Sequence, residues 1–339
     1  MKLRITIQNF ELPLKNPFTI SRYTVTVQKT VVVSISDGKF TGYGEATVNP
    51  YYNSTVESLK NSIESVKVIL ENIPENTHPT KLWETLESKL QDNYFALCAI
   101  DTAYWDVYAK QQQKPLRSFW SESDVKLPRT NYTIGIDSIE VMQSKIQQTP
   151  WPIYKIKLGT KNDVEIIQKL REVTDSVFRV DANCAWTVEE TLKNAEILKT
   201  FNVEFIEQPL QADNWKGMEI LKKESVLPII ADESCQKLAD VSKCVAVFHG
   251  INIKLMKCGG ITPALQMIQI AKAKQVKIMA GCMTESTIGI SNLTQLAPLL
   301  DYIDADGALL LQNDIAKGVS FDNGKMIYTD KNGSGAFLI

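Results

Sequence analysis

The chain has 339 residues, 44% hydrophobic and 22% charged, with a formal net charge of −2. That composition is ordinary for a globular protein, and the length calls for more than one small core. The near-neutral charge offers no field for nucleic acid or an anionic membrane, and there is no basic tract interleaved with aromatics. No run of about 18 apolar residues occurs, so no transmembrane helix is expected. Six scattered cysteines form no C-x-x-C pair, which argues against zinc knuckles and a disulfide framework and for a reducing cytoplasm. With only His78 and His249 as histidines, chemistry at neutral pH must rely on carboxylates, lysines, thiols or a metal.

The chain opens with an alternating stretch, Met1 to Ile7, that reads as a strand rather than as a signal peptide. The β character continues to Glu45 through the run Thr30-Val31-Val32-Val33-Ser34-Ile35, the turn Asp37-Gly38 and Gly42-Tyr43-Gly44. From Thr55 to about Gln113 the apolar spacing becomes helical, as in Ile63, Val66, Ile69 and Leu70. Strands followed by helices predict an α+β domain over residues 1–125.

Beyond Pro128 short β-rich runs alternate with amphipathic helical stretches, the pattern of a parallel sheet. The runs are Tyr132 to Ile136, Ile153 to Leu158, Val177 to Asp181, Val203 to Glu207, Ile229 to Asp232, Ile251 to Leu255, Lys277 to Ala280 and Tyr302 to Asp304. Eight strands are what a closed β/α barrel needs, and the spacing of 26 residues from Asp181 to Glu207 and 25 from Glu207 to Asp232 suits one βα unit. The barrel is expected over residues 126–315. A short glycine-punctuated return, residues 316–339, is expected to pack on the first domain.

Barrel active sites lie at the C-terminal ends of the strands. Three consecutive strands end in a carboxylate: Asp181, Glu207 and Asp232. An Asp at a βα junction often caps the next helix, but three clustered carboxylates repel one another unless a cation neutralises them. All-oxygen ligands suit Mg²⁺ better than zinc. Strands two and six lie opposite each other in a ring of eight, so Lys157 and Lys254 can face each other across the mouth. Lys155 shares a strand face with Lys157; its charge, with that of a metal, should lower the Lys157 pKa toward that of a working base. Two bases on opposite faces of one carbon, with a metal to hold a carboxylate, imply α-proton removal, charge stabilisation on the enediolate and return of a proton from the other side.

These residues resemble the enolase superfamily in its muconate-lactonizing subgroup. The likeness spans the chain through Lys-Ile-Lys at 155–157, Asp-Ala-Asn at 181–183, Ile-Glu-Gln-Pro at 206–209, Ala-Asp-Glu-Ser at 231–234 and Asn-Ile-Lys-Leu at 252–255. It implies an α/β fold, a modified (β/α)7β TIM barrel with an N-terminal α+β capping domain, and Mg²⁺ as cofactor. Asn183 and Glu233 then stand just behind the metal ligands.

Asp304-Ala305-Asp306 is similar to the Asp-x-Asp of the dipeptide epimerases, whose two carboxylates bind the α-ammonium of an N-terminal residue, often L-Ala. Paired carboxylates on one strand face suit a cationic group. Cys282, Thr284 and Glu285 at the end of strand seven, and Thr133 on strand one, are expected to line the same pocket. The resemblance places recognition of the second side chain in two capping-domain loops, about 18–24 and 50–54. There Arg22 could hold an acidic side chain such as Glu, or could stand as a solvated rim residue.

The expected activity is therefore isomerisation: inversion of the second residue of an L-Ala-Xaa dipeptide, with Ala or another small Xaa favoured, by a two-lysine 1,1-proton transfer. Barrels of this kind often associate, so a homo-oligomer is among the expected states. Rivals on the same scaffold are o-succinylbenzoate synthesis, N-acylamino-acid racemisation and muconate cycloisomerisation, whose substrates lack a free ammonium. A Schiff-base aldolase using Lys157 or Lys254 would need no Mg²⁺, and against a non-catalytic binding or structural protein that kept the fold stands the complete set of three carboxylates and two lysines.

Overall fold

The computed structural model describes residues 3–121 and 125–339. Met1 and Lys2, part of the expected first strand, and residues 122–124, just before the expected domain boundary, lie outside the described residues.

The chain begins with an antiparallel three-stranded sheet in the order β1 (Arg4–Thr19), β2 (Thr24–Ser36), β3 (Thr41–Thr47). Val31, Val32 and Val33 are fully buried in β2, as β-branched residues on a packed sheet should be. Three helices follow: α1 (Val56–Glu71), α2 (Pro79–Leu90) and α3 (Tyr94–Gln111). A reciprocal Thr55/Ser58 capping box starts α1. His78 accepts the Thr80 N–H at the start of α2, ahead of a proline at its first position. Nearly every side of α3 is buried, as expected of a helix apolar all round. It lies against β3 so closely that a Cβ on Gly42 or Gly44 would meet the backbone oxygens of Ala103 and Ala99 at 2.1 and 2.0 Å.

The second part is a parallel sheet of eight neighbouring strands, β4 (Tyr132–Ile134), β5 (Ile153–Lys157), β6 (Val177–Asp181), β7 (Val203–Glu207), β8 (Ile229–Ala231), β9 (Gly250–Ile253), β10 (Lys277–Gly281) and β11 (Tyr302–Asp304). These are the eight strands read from the sequence. A parallel bridge from Thr130 to Ile303 brings the first and last together and closes the ring. Helices α4 (Ile139–Gln148), α5 (Asp163–Arg171), α6 (Val188–Lys199), α7 (Trp215–Glu224) and α8 (Val241–Val247) separate β4 to β9 in turn. A single turn α9 (Leu255–Cys258) and then α10 (Ile261–Ala273) lead into β10, and α11 (Thr287–Thr294) leads to β11. His249 accepts the Ile229 N–H, so both histidines serve the scaffold.

The two parts share buried carboxylates. Asp101 of α3 accepts the Thr262 N–H (3.0 Å) and hydroxyl (2.7 Å), capping α10, which has no capping side chain of its own. Gly260 is required there, since it sits at φ +119° and a Cβ would meet Asp101 Oδ2 at 2.3 Å. Glu45 of β3 accepts from Ser286 N, Ser286 Oγ and Gly289 N at the start of α11. Such donors at a helix start have no intrahelical partner; here they are met by side chains from the other part of the molecule.

The return strand β12 (Ala316–Lys317) pairs with β15 (Phe337–Leu338), and β13 (Ser320–Asp322) with β14 (Lys325–Ile327). Ser334 N donates to Asp106 of α3, while Thr130 N donates to the Gly324 carbonyl. The return therefore touches both the helices of the first part and the barrel.

Candidate active site

The mouth of the barrel opens beneath the β1–β2 tip and the loop after β3. Between them lies a cavity lined from both sides, by Phe18, Ile20, Arg22, Tyr51 and Tyr52 above and by Thr133, Lys157, Asp232, Lys254 and Asp306 below.

Asp181 closes β6, Glu207 closes β7 and Asp232 follows β8; all three are buried, and each offers an oxygen within 4.8 Å of the others'. Four lysines surround them. Lys155, buried on β5, lies 2.8 Å from Glu207 Oε2, 2.9 Å from Asp304 Oδ2 and 3.3 Å from Asp181 Oδ2. Burial opposes its charge, but Asp304, Glu207 and Asp181 outweigh burial and hold its pKa well above the ordinary lysine value. It is a fixed cation. Lys157, two residues on, points to the same interior and lies 2.6 Å from Asp181 Oδ2. On the far side of the ring, Lys254 at the end of β9 lies 2.9 Å from Asp232 Oδ2. Strands β5 and β9 stand four places apart among eight, so the two lysines approach the centre from opposite sides.

The site also contains residues that sequence reasoning missed. Asn252, inward on β9 two residues before Lys254, donates to Glu207 Oε1 at 2.8 Å. Lys257 donates to Asp232 Oδ1 at 2.6 Å. Asn131 donates to Asp304 Oδ1 at 2.7 Å, and Arg179 Nη1, which also donates to the Ile303 carbonyl, lies 3.4 Å from Asn131 Oδ1. For Asn252 a signal was available, the two-residue period on a strand already carrying Lys254. Lys257 and Asn131 lie outside the strands, where that period gives no guide.

Asp304 and Asp306 meet here but are not equivalent. Both oxygens of Asp304 are engaged, by Asn131 and Lys155. Against the cost of burial, the Lys155 charge pulls Asp304 down to about 2. Asp306 accepts the Thr133 N–H and borders the cavity. Burial, and then the Asp304 charge, push it up to about 8. The Cys282 thiol lies 3.9 Å from Asp306 Oδ1, and Thr284 lines the same cavity.

Glu285 departs from the expectation that it lines this pocket. The chain turns at Cys282–Thr284, and its carboxylate folds back to accept the Met283 N–H. It borders a small adjoining cavity behind Lys254 and Met283 instead. Arg22 is neither a solvated rim residue nor a free guanidinium. It lies 2.6 Å from Glu233 Oε1 and 3.1 Å from the Asn183 carbonyl, and its face rests 4.3 Å from the Tyr51 ring centre.

The residues fit a hard divalent cation. Burial, and then Asp181 and Asp232 against the opposing pull of Lys155, push Glu207 up to about 7; a divalent ion relieves such crowding. Asn183 Oδ1 and Glu233 Oε2, both buried beside the triad, have no hydrogen-bond partner among the described residues. The waters of a hydrated ion would satisfy them, and three carboxylate oxygens suit Mg²⁺. Two further strained positions mark this rim: Asn183 and Cys184 hold φ values of +46° and +66° in succession, a conformation that collects at functional sites.

Residues 138–338 match the family model described as enolase C-terminal domain-like. Residues 2–119 match that of the mandelate racemase / muconate lactonizing enzyme N-terminal domain. A Flavobacterium johnsoniae protein named L-Ala-D/L-amino acid epimerase is 50% identical over 337 residues, 99% of this chain and 100% of its own. A Maribacter sp. protein of the same name is 51% identical over 337 residues, 99% of each chain. The solved structure of a dipeptide epimerase from Cytophaga hutchinsonii, complexed with Mg and the dipeptide D-Ala-L-Val, matches with a TM-score of 0.93 at 25% identity, covering 100% of this chain and 96% of that one.

Proposed function

The chain belongs to the enolase superfamily, among the dipeptide epimerases of its mandelate racemase / muconate lactonizing enzyme family, and we propose that it inverts the α-carbon of the C-terminal residue of L-Ala-Xaa dipeptides. Small Xaa such as Ala is favoured, and the metal is Mg²⁺. The observation that carries this reading is the placement of Lys157 and Lys254 on opposite sides of the mouth with the carboxylate triad between them.

Asp181, Glu207 and Asp232 would hold Mg²⁺, which offsets the negative charge that develops on the substrate carboxylate as the α-proton leaves. One lysine removes that proton from its side of the carbon. The other delivers a proton from the opposite face, so the centre is inverted. A lysine must be neutral to act as base, and in this structure Lys157 and Lys254 each rest on one of the carboxylates that would hold the ion. Lys155 is the neighbouring fixed charge on the Lys157 side.

At the other end of the cavity Asp306, with Thr133 and Cys282 beside it and Asp304 behind, receives the substrate ammonium. The second side chain rises from the α-carbon toward Ile20, Arg22, Tyr51 and Tyr52. In this reading the first domain reads the side chain and the barrel performs the chemistry. No helix among the described residues is long and apolar enough to cross a membrane. Six free cysteines fit a reducing cytoplasm, and self-association into a homo-oligomer accords with the barrel.

The test is α-proton exchange in deuterated buffer with Mg²⁺, followed by mass spectrometry over a library of L-Ala-L-Xaa dipeptides. Exchange at the second residue, lost with EDTA, is the expected result. Exchange only with N-succinyl or other N-acylated amino acids would overturn the ammonium-binding role and point to racemisation of acylated substrates on the same barrel.

A further inference from the structure

Each metal-ligand carboxylate at the two ends of the triad is shared by two lysines, one partly exposed and one fully buried. Asp181 lies between Lys157, with 10% of its side chain exposed, and Lys155, with 1%. Asp232 lies between Lys254, with 11% exposed, and Lys257, with none. On the second side the oxygens divide cleanly: Oδ2 meets Lys254 at 2.9 Å and Oδ1 meets Lys257 at 2.6 Å.

Lys257 does more than balance charge. Its ammonium also donates to the backbone carbonyls of Asp232 and Cys235, at 2.5 and 3.0 Å. All three hydrogens of an ammonium can thus be used, and all three point into the turn that follows β8. Its own backbone N–H returns to the Lys254 carbonyl at 3.0 Å. The single turn of α9 therefore joins two strand ends: it begins at Lys254 and, one turn later, puts a buried cation on the turn carrying Asp232. Glycines at φ +96° and +119° stop that turn directly afterwards, and Trp83 of α2 holds the Gly259 carbonyl from outside at 2.9 Å.

We propose that Lys257 is a positioning residue for the Lys254 half of the reaction. It fixes the Asp232 carboxylate by one oxygen, so that the other oxygen is aligned for the cation and Lys254 is aligned with the substrate α-carbon. This rests on the two-lysine reading above. The Lys157 half has its own anchor in Lys155, so the effect of losing Lys257 is one-sided. A rigid supporting residue of this sort is what holds reacting groups within the small tolerance that proton transfer needs.

The test compares the wild-type enzyme with Lys257→Gln, which removes the charge but keeps donors for the two carbonyls, and with Lys257→Arg, which restores a cation. Mg²⁺ binding is measured by titration calorimetry without substrate, and α-proton exchange in deuterated buffer is measured separately from each epimer of one dipeptide. In Lys257→Gln, Mg²⁺ is expected to bind about tenfold more weakly. Exchange from the epimer facing Lys254 should fall at least tenfold further than exchange from the epimer facing Lys157. Lys257→Arg should recover part of both effects. A loss of cation alone would strengthen Mg²⁺ binding by removing a positive neighbour, so tighter or unchanged binding overturns the proposal. Equal loss of exchange from the two epimers, the mark of a merely structural residue, overturns it as well. If the wild-type enzyme itself neither binds Mg²⁺ nor exchanges either epimer, the fault lies with the two-lysine reading and not with Lys257. Should Lys257→Gln not fold, Lys257→Arg alone decides: the one-sided loss of exchange is then expected in smaller measure, and wild-type behaviour in both assays overturns the proposal.

Discussion

Arg22 and Glu233 lie 211 positions apart in the chain and 2.6 Å apart in space. The pair joins the β1–β2 tip to the turn after β8, and it uses up the cation that would otherwise greet an acidic substrate side chain. Second residues with neutral side chains are therefore expected to outperform Glu in kcat/KM. Arg22→Met should change the ratio of L-Ala-L-Glu to L-Ala-L-Met by less than about threefold, under 1 kcal/mol of selectivity. A tenfold fall in that ratio would show that Arg22 leaves Glu233 to hold the acid.

Removing either cavity lysine should separate inversion from exchange. Lys157→Ala and Lys254→Ala are each expected to abolish epimerisation while the protein still folds, shown by circular dichroism. Each should retain deuterium exchange for one epimer only, opposite in the two variants, because the surviving lysine addresses one face. Exchange of the same epimer in both variants would place the two bases on one side.

Binding of a free amine should follow the state of Asp306. Burial and Asp304 push its carboxyl up to about 8, so below that pH it is neutral and attracts an ammonium weakly. The dipeptide amine itself loses its proton near pH 7.7–8.0. The kcat/KM profile should therefore rise from pH 6.5 toward about 8 and fall beyond it. Asp306→Asn should lower kcat/KM and remove the acid limb. An unchanged acid limb in that variant would assign it to another group, of which Glu207 is the first to examine.

Asp101 offers a stability test. Burial holds it up at about 7, against the hydrogen bonds from Thr262 that favour the charged form. The ordinary value is about 3.9. The folded state thus binds this proton more tightly than the unfolded one, and the associated stabilisation is lost as pH rises from about 4 through 7. Asp101→Asn has no such titration and should gain on the wild type between pH 5 and 8 in urea unfolding. Asp101→Ala leaves two buried donors of Thr262 unmet and should cost about 1–3 kcal/mol at any pH.

Much of this arrangement is legible in the sequence because a barrel makes it local. When one βα unit follows another, the strand ends fall at regular spacing, and Val177–Asp181, Val203–Glu207 and Tyr302–Asp304 emerge with the boundaries read from the residues. The carboxylates, Lys157 and Lys254 meet because parallel strands all end on one face. What stays hidden depends on long-range partners or on side-chain direction. Nothing in the residues around Arg22 indicates Glu233. The hold of Asn131 on Asp304 and of Lys257 on Asp232 depends on which way a loop and a single helical turn carry their side chains. Glu285 reads as a strand-end residue, but one reversal of the chain takes it off the cavity wall.

The carboxylates of Glu45 and Asp101 also determine how far the molecule can be treated as modular. They meet donors at the starts of α11 and α10, and the segments immediately before those helices carry Cys282 and Thr284 in one case and, on the turn α9, Lys257 in the other. The line between the first part and the barrel is therefore no seam along which one piece could be exchanged for another. A chimera that grafts a foreign first domain to alter the dipeptide accepted would leave the donors that Asp101 and Glu45 meet at the starts of α10 and α11 without those partners. Such a graft must bring an acid at both positions, or it will loosen the catalytic segments while changing the specificity.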